Sequence, residues 1–572
     1  MSRIIFLLCY LFCATCFATE PKHLQFQLIG VPENALDNVK HRLEYTQKHM
    51  LQQTNEKNVT AFYHLASSEI QQALQPYGYF HATVNSKLYK KNNLWFMVFY
   101  VKPGKPLRIN QLNINVIGQG KNNPTIRSYI QHFPLETGDI LTTVSYNNAK
   151  DGLVNVGVGC GYLKATYTIH EIQIDLKAYT AKIKLVLNTG PLYYFGPVTF
   201  SQTSLSDRFL QRFLPFKTGQ PFSNDAVIQA NNNLASSIYF KRVDIHADVD
   251  ENLHNYIPVY VNLTPKKSQQ YSLGVGYGTD TGARGKLGWE WRNVTPSGHY
   301  VQAIIQASQV LSNFQARYII PGKNPILQHY SIFAGVITNE PGYGEYTNYQ
   351  FGGNYVTDFG DWETIIALTY QHERFFVNPQ SPTFTTDYIV PNVSIEKVTA
   401  DNRVNTRNGY RIYLNTQAGT ATNTNSVFLQ TELQAKFIKT FFERNRILLR
   451  TDLGFTSVHN LDQFPLSLQF FAGGAQSVRG YAFQGLGPGK YLIVGSAEYQ
   501  FRIYGKWSIA TFYDAGNAFN NTPISLQKSY GAGIVYHSAM GPVSLTVAHP
   551  IGGDNDNYFK SLRVQFIIGP DL

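Results

Sequence analysis

From about Lys266 onward the chain reads as strands only, and individual strands alternate apolar and polar side chains with a period of two. That pattern belongs to strands with two unlike faces and excludes packed helices. In 300–310, Val301, Ala303, Ile305 and Ala307 fall on one face, and Gln302, Gln306 and Ser308 on the other. In 362–371, Trp362, Ile366, Leu368 and Tyr370 oppose Glu363, Thr369 and Gln371, with Thr364 and Ile365 as exceptions. At about 10 residues per tilted strand plus turns, roughly 16 strands fit this region. No downstream apolar run is long enough for a spanning helix, which needs about 20 residues. The region therefore reads as a transmembrane antiparallel β-barrel, apolar toward lipid and polar toward the lumen. A soluble β-sandwich would alternate too. It would not explain a chain that is 14% aromatic and only 15% charged and that opens on an export signal.

That signal is read at residues 1–18. Arg3 precedes the apolar run Ile4 to Phe12, and Cys16-Phe17-Ala18 gives a small-x-small end. A lipoprotein signal ending at Cys16 is the rival, weakened by Thr15 where Gly or Ala is usual. Removal of the signal takes Cys9, Cys13 and Cys16 with it, leaving Cys160 as a small packed residue and no internal disulfide. The formal charge of +11 fits interfacial Lys and Arg at anionic head groups. No basic, aromatic-interleaved motif points to nucleic acid.

Residues 22–265 have a different texture, in which helical periodicity mixes with short strands and a unit recurs three times. The first has a strand at 23–29, helices near 33–49 and 61–75, and strands at 82–89 and 94–101. The second has strands at 107–117, 164–174 and 180–187. The third has strands at 193–200, 242–249 and 257–263. Gly78-Tyr79-Phe80 lies 83 residues before Gly161-Tyr162-Leu163, which lies 77 before Ile238-Tyr239-Phe240. Thr137-Gly138-Asp139 and Thr218-Gly219-Gln220 are 81 apart. Pro103-Gly104 and Gly190-Pro191 punctuate the joints. A tandem β-α-α-β-β unit of this size resembles the polypeptide-transport-associated (POTRA) domain. The expected organisation is a signal (1–18), three POTRA-like domains (22–103, 104–190 and 191–265) and an outer-membrane barrel (266–572).

Within the barrel, alternation assigns faces. Glu498 falls on the polar side of 491–503, and Asp514 shares a face with Ser508, Ala510, Phe512 and Gly516. Both carboxylates are expected in the lumen. Just before these strands stands Val478-Arg479-Gly480-Tyr481, an always-charged guanidinium on a glycine-permitted turn. This tetrapeptide, Phe512-Tyr513-Asp514-Ala515-Gly516 and Gly495-Ser496-Ala497-Glu498 together resemble three motifs of the outer-membrane assembly-factor superfamily, which includes BamA and TamA. The resemblance implies that the loop folds back into the lumen and that Arg479 pairs with Asp514 and Glu498. The other reading is a solvated loop arginine beside ordinary lumen carboxylates.

The barrel ends suggest a seam. Tyr271, Leu273, Val275 and Tyr277 alternate with Ser272, Gly274, Gly276 and Gly278, so the first strand is nearly bare on its lumen side. The last strand, with Val564, Phe566 and Ile568 on one face, is expected to pair with it and close the barrel. Glycine-rich strands pack little, so this closure is expected to be weak, and an opened seam offers an edge for β-augmentation. The glycines are equally readable as room for the Arg479 loop.

Three repeats before a barrel of this size are most similar to the TamA family. BamA-like chains have more repeats, and two-partner-secretion pores have fewer. The resemblance implies insertion or secretion of β-barrel and autotransporter-type proteins. It also implies a TamB-like periplasm-spanning partner and leaves a lipid-transport conduit open. An outer-membrane lipase is the enzymatic alternative, but the chain has neither a G-x-S-x-G elbow nor H-E-x-x-H. No enzyme activity, metal or cofactor is expected.

Overall fold

The computed structural model describes residues 24–50, 56–92, 94–201, 203–248, 254–278, 282–340, 344–422, 426–459, 461, 463–521, 523–551 and 562–572. The expected signal and its three cysteines lie outside these residues, as do His23 and Val249 at the ends of two expected strands.

Three small α+β repeats precede the barrel. The first runs β1 (Leu24–Ile29), α1 (Glu33–Met50), α2 (Glu56–Leu74), β2 (Thr83–Lys91) and β3 (Leu94–Lys102). Its sheet has the order β1-β3-β2, with β1 parallel to the central strand and β2 antiparallel. The helices form because apolar residues recur on one face: Ala35, Val39 and Leu43 on α1, and Val59, Phe62, Ala66 and Ile70 on α2. They close a core over Leu24, Met97 and Phe99.

The second repeat contains β4 (Arg108–Ile117), α3 (Pro124–Gln131), α4 (Thr143–Gly159), β5 (Thr166–Asp175) and β6 (Thr180–Asn188), in the sheet order β4-β6-β5. Asn123 caps α3, and Thr142 caps α4 through a reciprocal bond with Ser145. The third has β7 (Tyr194–Phe200), α5 (Asp207–Leu210), α6 (Asn224–Ser236), β8 (Phe240–Ala247) and β9 (Tyr256–Pro265), in the order β7-β9-β8.

The recurring sequence motifs turn out to be two halves of one joint. Gly78 ends the helical part of its repeat at φ +88°, and its carbonyl accepts the Leu107 N–H at 2.9 Å. A β-carbon at Gly78 would stand 2.8 Å from the Leu141 carbonyl oxygen. Leu141 lies four residues after Thr137. The pattern repeats at Gly161 (φ +94°), whose carbonyl accepts the Tyr193 N–H at 2.9 Å. Its β-carbon would lie 2.7 Å from the oxygen of Phe222, four residues after Thr218. Each glycine therefore satisfies two demands, a left-handed backbone and backbone-to-backbone contact.

Gly219 has φ +87° and nothing near its absent β-carbon, so it carries the first demand without the second. Gly219→Ala is expected to cost about 1–2 kcal/mol, the left-handed penalty. Gly161→Ala is expected to cost more and to expose the joint between the repeats. Limited proteolysis of the full chain under rising urea measures both; equal susceptibility of the two variants would mean that the contact contributes nothing.

The barrel is one antiparallel sheet of sixteen strands. It comprises β10 (Gln269–Gly278), β11 (Gly282–Trp291), β12 (Tyr300–Ser308), β13 (Leu311–Pro321), β14 (Gln328–Asn339), β15 (Glu345–Phe359), β16 (Trp362–Phe376) and β17 (Phe384–Ala400). It continues through β18 (Asn408–Ala421), β19 (Val427–Phe441), β20 (Asn445–Val458), β23 (Tyr491–Tyr504), β24 (Trp507–Phe519), β25 (Gln527–Ser538), β26 (Gly541–Ile551) and β27 (Arg563–Ile568). Between β20 and β23 the chain folds a small ribbon, β21 (Phe470–Ala472) with β22 (Leu486–Gly489). Outward residues such as Leu273 and Val275 are more than four-fifths exposed, as a lipid-facing wall requires.

One expectation changes. The last strand does not zip onto the first: the sheet runs from β10 to β27, and these two approach each other without a hydrogen-bonded ladder among the described residues. β27 has only six residues and is followed by Gly569 and Pro570, and proline has no N–H to continue a ladder.

Candidate functional site

The segment 463–490 enters the barrel and is held at two levels. On its first limb, Ser467 meets the inward carboxylate of Glu373 on β16. The Ser467 N–H donates to Oε1 at 3.0 Å, the Ser467 hydroxyl donates to Oε2, and Asn348 Nδ2 donates to Oε2 at 2.8 Å. Gln430 Nε2 donates to the Leu468 carbonyl at 2.6 Å. Beside them Phe464 is fully buried against Tyr388 and Phe428.

On the second limb the structure places Arg479 against β23 and β24. Its Nε and Nη2 donate to the two oxygens of Asp514, each at 2.8 Å, a bidentate fork. Its own backbone N–H donates to Asp514 Oδ2 at 3.0 Å. Nη1 donates to Glu498, and Nη2 also reaches Ser496 Oγ at 3.1 Å. The Ser496 hydroxyl donates to Asp514 Oδ1 at 2.6 Å, which orients that carboxylate. The guanidinium carbon lies 3.4 Å from the centroid of the Phe512 ring, stacked on its face. The Asp514 side chain is fully buried and that of Arg479 is 8% exposed, so these contacts are largely shielded from water.

The neighbouring motif residues shape the seat. Val478 is fully buried in an apolar cluster with Phe470, Val494 and Ala518, and Tyr481 donates its hydroxyl to Gln527 at 3.0 Å. Gly480 turns at φ +105°, close over Ser529. Gly516 faces Val494 across the β23–β24 ladder, and Gly495 faces Ala515. Arg450 Nη2 donates to the Ser477 carbonyl at 2.6 Å, a contact without any motif signal.

Glu373 was half legible: alternation puts it on the inner face of β16 with Gln371. Its partner Ser467 lies 94 residues away in an irregular segment, and no period reaches it.

At the seam, Gly274, Gly276 and Gly278 lie opposite Lys286, Arg284 and Gly282 of β11. The Arg284 side chain crosses Gly276, with Nε 3.0 Å from where a β-carbon would be. Val564 and Ile568 point outward and are exposed, and Phe566 is half-buried.

Comparison with known proteins decides the family. The Omp85 superfamily domain model matches residues 267–571, more than half of the chain. The chain belongs to the Omp85 superfamily. The model for POTRA domain TamA domain 1 matches residues 25–103, and a POTRA model described as surface antigen variable number repeat matches 193–266. Among curated proteins, the outer membrane protein assembly factor BamA of Buchnera aphidicola is 25% identical over 146 residues. That match covers 25% of this chain and 24% of the relative's length.

The crystal structure of BamA from Haemophilus ducreyi lacking POTRA domains 1–3 aligns with a TM-score of 0.66 at 15% identity. The alignment covers 81% of this chain and all of that one, a likeness of fold. CdiB from Acinetobacter baumannii aligns at 0.46 and 14% identity over 90% of this chain and 98% of its own. Omp85 proteins are assembly and transport factors. This chain is an outer-membrane β-barrel protein whose N-terminal POTRA domains lie in the periplasm.

Proposed function

We propose that this Omp85 protein is a TamA-type factor that inserts or secretes β-barrel and autotransporter-type clients at the outer membrane. The observation that carries this reading is the sixteen-stranded sheet whose first and last strands approach each other without a hydrogen-bonded ladder among the described residues. A seam that opens inside a membrane exposes backbone donors and acceptors, and a client strand can supply partners for them. The Arg479 fork is read as the lock that seats the lumen loop while the seam works. The match of the first repeat to a TamA domain model supports the TamA branch. The TamB-like periplasm-spanning partner rests on the resemblance alone.

Insertion of a urea-unfolded autotransporter barrel into vesicles tests the reading. Vesicles carrying the full chain are expected to accelerate heat-resistant folding of the client at least tenfold over empty vesicles. Equal rates in the two would remove it.

A further inference from the structure

Away from the seam, the outer wall changes character over three rows of side chains. β10 rises from the periplasmic repeats, and β16 is the seventh strand of the antiparallel sheet, so β16 ends on the extracellular side. Across β15, β16 and β17 the lowest of the three rows is Phe351, Tyr370 and Ile389, all exposed on the outer face. Ile366 and Leu368 continue that apolar wall below it. The next row is Tyr349, His372 and Asp387, and the outermost is Thr347, Arg374 and Thr385. The alternate residues Gln371, Glu373 and Tyr388 are buried on the lumen side, which fixes the facing of the rows. The wall therefore passes from apolar to polar within two rows, as it does where hydrocarbon meets lipid headgroups.

The middle row is organised around one acid. Asp387 Oδ1 accepts the Tyr370 hydroxyl at 2.7 Å and the His372 Nδ1–H at 2.7 Å. A carboxylate only accepts, so the proton of the second bond sits on Nδ1 and the ring is turned with Nε2 away from the acid. Tyr349 packs against the same imidazole, with ring centroids 6.1 Å apart. A carboxylate and an aromatic ring thus hold His372, whose side chain is still 41% exposed.

Arg374 stands one row farther out on the same face, exposed. Among the described residues it makes no ion pair, and Glu345, one row beyond it, does not pair with it. Two residues along a strand are about 7 Å apart. At that spacing two long side chains converge on one phosphate group, the guanidinium by its planar fork and the imidazole by one ring nitrogen.

We propose that His372, held by Asp387, and Arg374 form a site on the outer wall for the phosphate of a lipid headgroup in the outer leaflet. The acyl chains of that lipid lie down the apolar row of Phe351, Leu368 and Ile389. The pairing is chemically specific: an anion must arrive on an apolar stem to meet both the cation and the wall below it. The proposal rests on the barrel's place in the outer membrane and is independent of the insertion reading.

The test titrates the full chain in detergent with dioleoyl phosphatidic acid, with dioleoylglycerol, which has the same chains and no phosphate, and with inorganic phosphate. Native mass spectrometry counts the bound ligand, and heat-modifiable gel mobility confirms that each variant is folded. Phosphatidic acid is expected to bind about tenfold more tightly than either of the others, the worth of one charge-assisted hydrogen bond. Arg374→Gln and His372→Gln are each expected to weaken it, and the two together to abolish the preference. Lys323→Gln removes the same charge from the turn between β13 and β14, at the other end of the barrel, and is expected to leave binding unchanged.

Equal binding of phosphatidic acid and dioleoylglycerol overturns the site, as does binding that neither substitution affects. An equal loss in Lys323→Gln would reduce the effect to net charge and overturn it too. Inorganic phosphate binding as tightly as the lipid overturns the lipid as the ligand. The depth of the rows is read from Thr347→Cys in a Cys160→Ser background, labelled with bimane in phosphatidylglycerol vesicles. Phospholipid spin-labelled at the headgroup is expected to quench the label; quenching by an aqueous reagent alone puts the row above the membrane and overturns the site.

Discussion

Arg479→Glu is expected to lose the seated lumen loop, and Asp514→Arg to lose it as severely. In the first variant the inserted carboxylate faces both Asp514 and Glu498, three acids where one arginine had served two. In the second, two guanidinium groups meet over the Phe512 ring. Removing one partner of a buried pair costs about 3–5 kcal/mol, and like charges add to that. A loss of this size is a large fraction of the stability of a domain, so the singles should shift heat-modifiable gel mobility toward the unfolded band.

The double variant should recover only part of the loss. Reversed charges can pair again, but Asp514 also accepts the backbone N–H of residue 479, and an arginine at 514 cannot. That buried donor is left without its acceptor, a deficit of about 1–3 kcal/mol. Glu498 also keeps its sign and faces the new glutamate. Harmless single variants would return Arg479 to an ordinary loop residue and deprive the loop of its lock. Arg479→Lys separates charge from shape: a lysine keeps the charge and loses the planar fork. It should fall between wild type and the charge reversals.

The second large effect is expected at the seam. Cysteine pairs placed along β10 (Leu273, Val275) and β27 (Val564, Phe566), in a Cys160→Ser background, are expected to include at least one that forms a disulfide, because the two strands already approach. A bond between them needs Cα atoms within about 7 Å, so the scan itself reports which residues face one another. Once locked, the strands no longer offer a free edge, and client insertion should fall to the rate of empty vesicles. Reduction should restore it. Full activity in the oxidised protein would mean that insertion does not pass through this edge.

The glycines of β10 support that expectation in a different manner from the one the sequence suggested. At Gly276 the nearest atoms are those of the Arg284 side chain, which lies across it. The bare inner face thus accommodates a cation from the adjacent strand, and it leaves the edge with few side-chain contacts to hold it shut.

Much of the architecture was legible because it is periodic. Alternation assigned Leu273, Val275 and Val564 to the lipid side and Glu498 and Asp514 to the lumen, since a period of two leaves no choice once one face is apolar. The helices of the first repeat followed from residues at four-residue spacing, such as Ala35, Val39 and Leu43. α2 begins at Glu56 rather than near Ala61, because its first turn carries little apolar signal before Val59. The Gly78 and Gly161 motifs were visible as repeats, but that they press against the carbonyls of Leu141 and Phe222 was not.

By itself, then, the sequence set the strand number at roughly 16, the face of most barrel side chains and the threefold repeat, all properties of local period and spacing. Only the tertiary structure decided that Ser467 reaches Glu373 and that Arg450 holds the Ser477 carbonyl. It alone showed that, among the described residues, β27 and β10 approach without a ladder. These outcomes rest on where irregular segments end after the sheet has curved. A buried charge takes the partner that is within reach in space, and separation along the chain does not limit that choice.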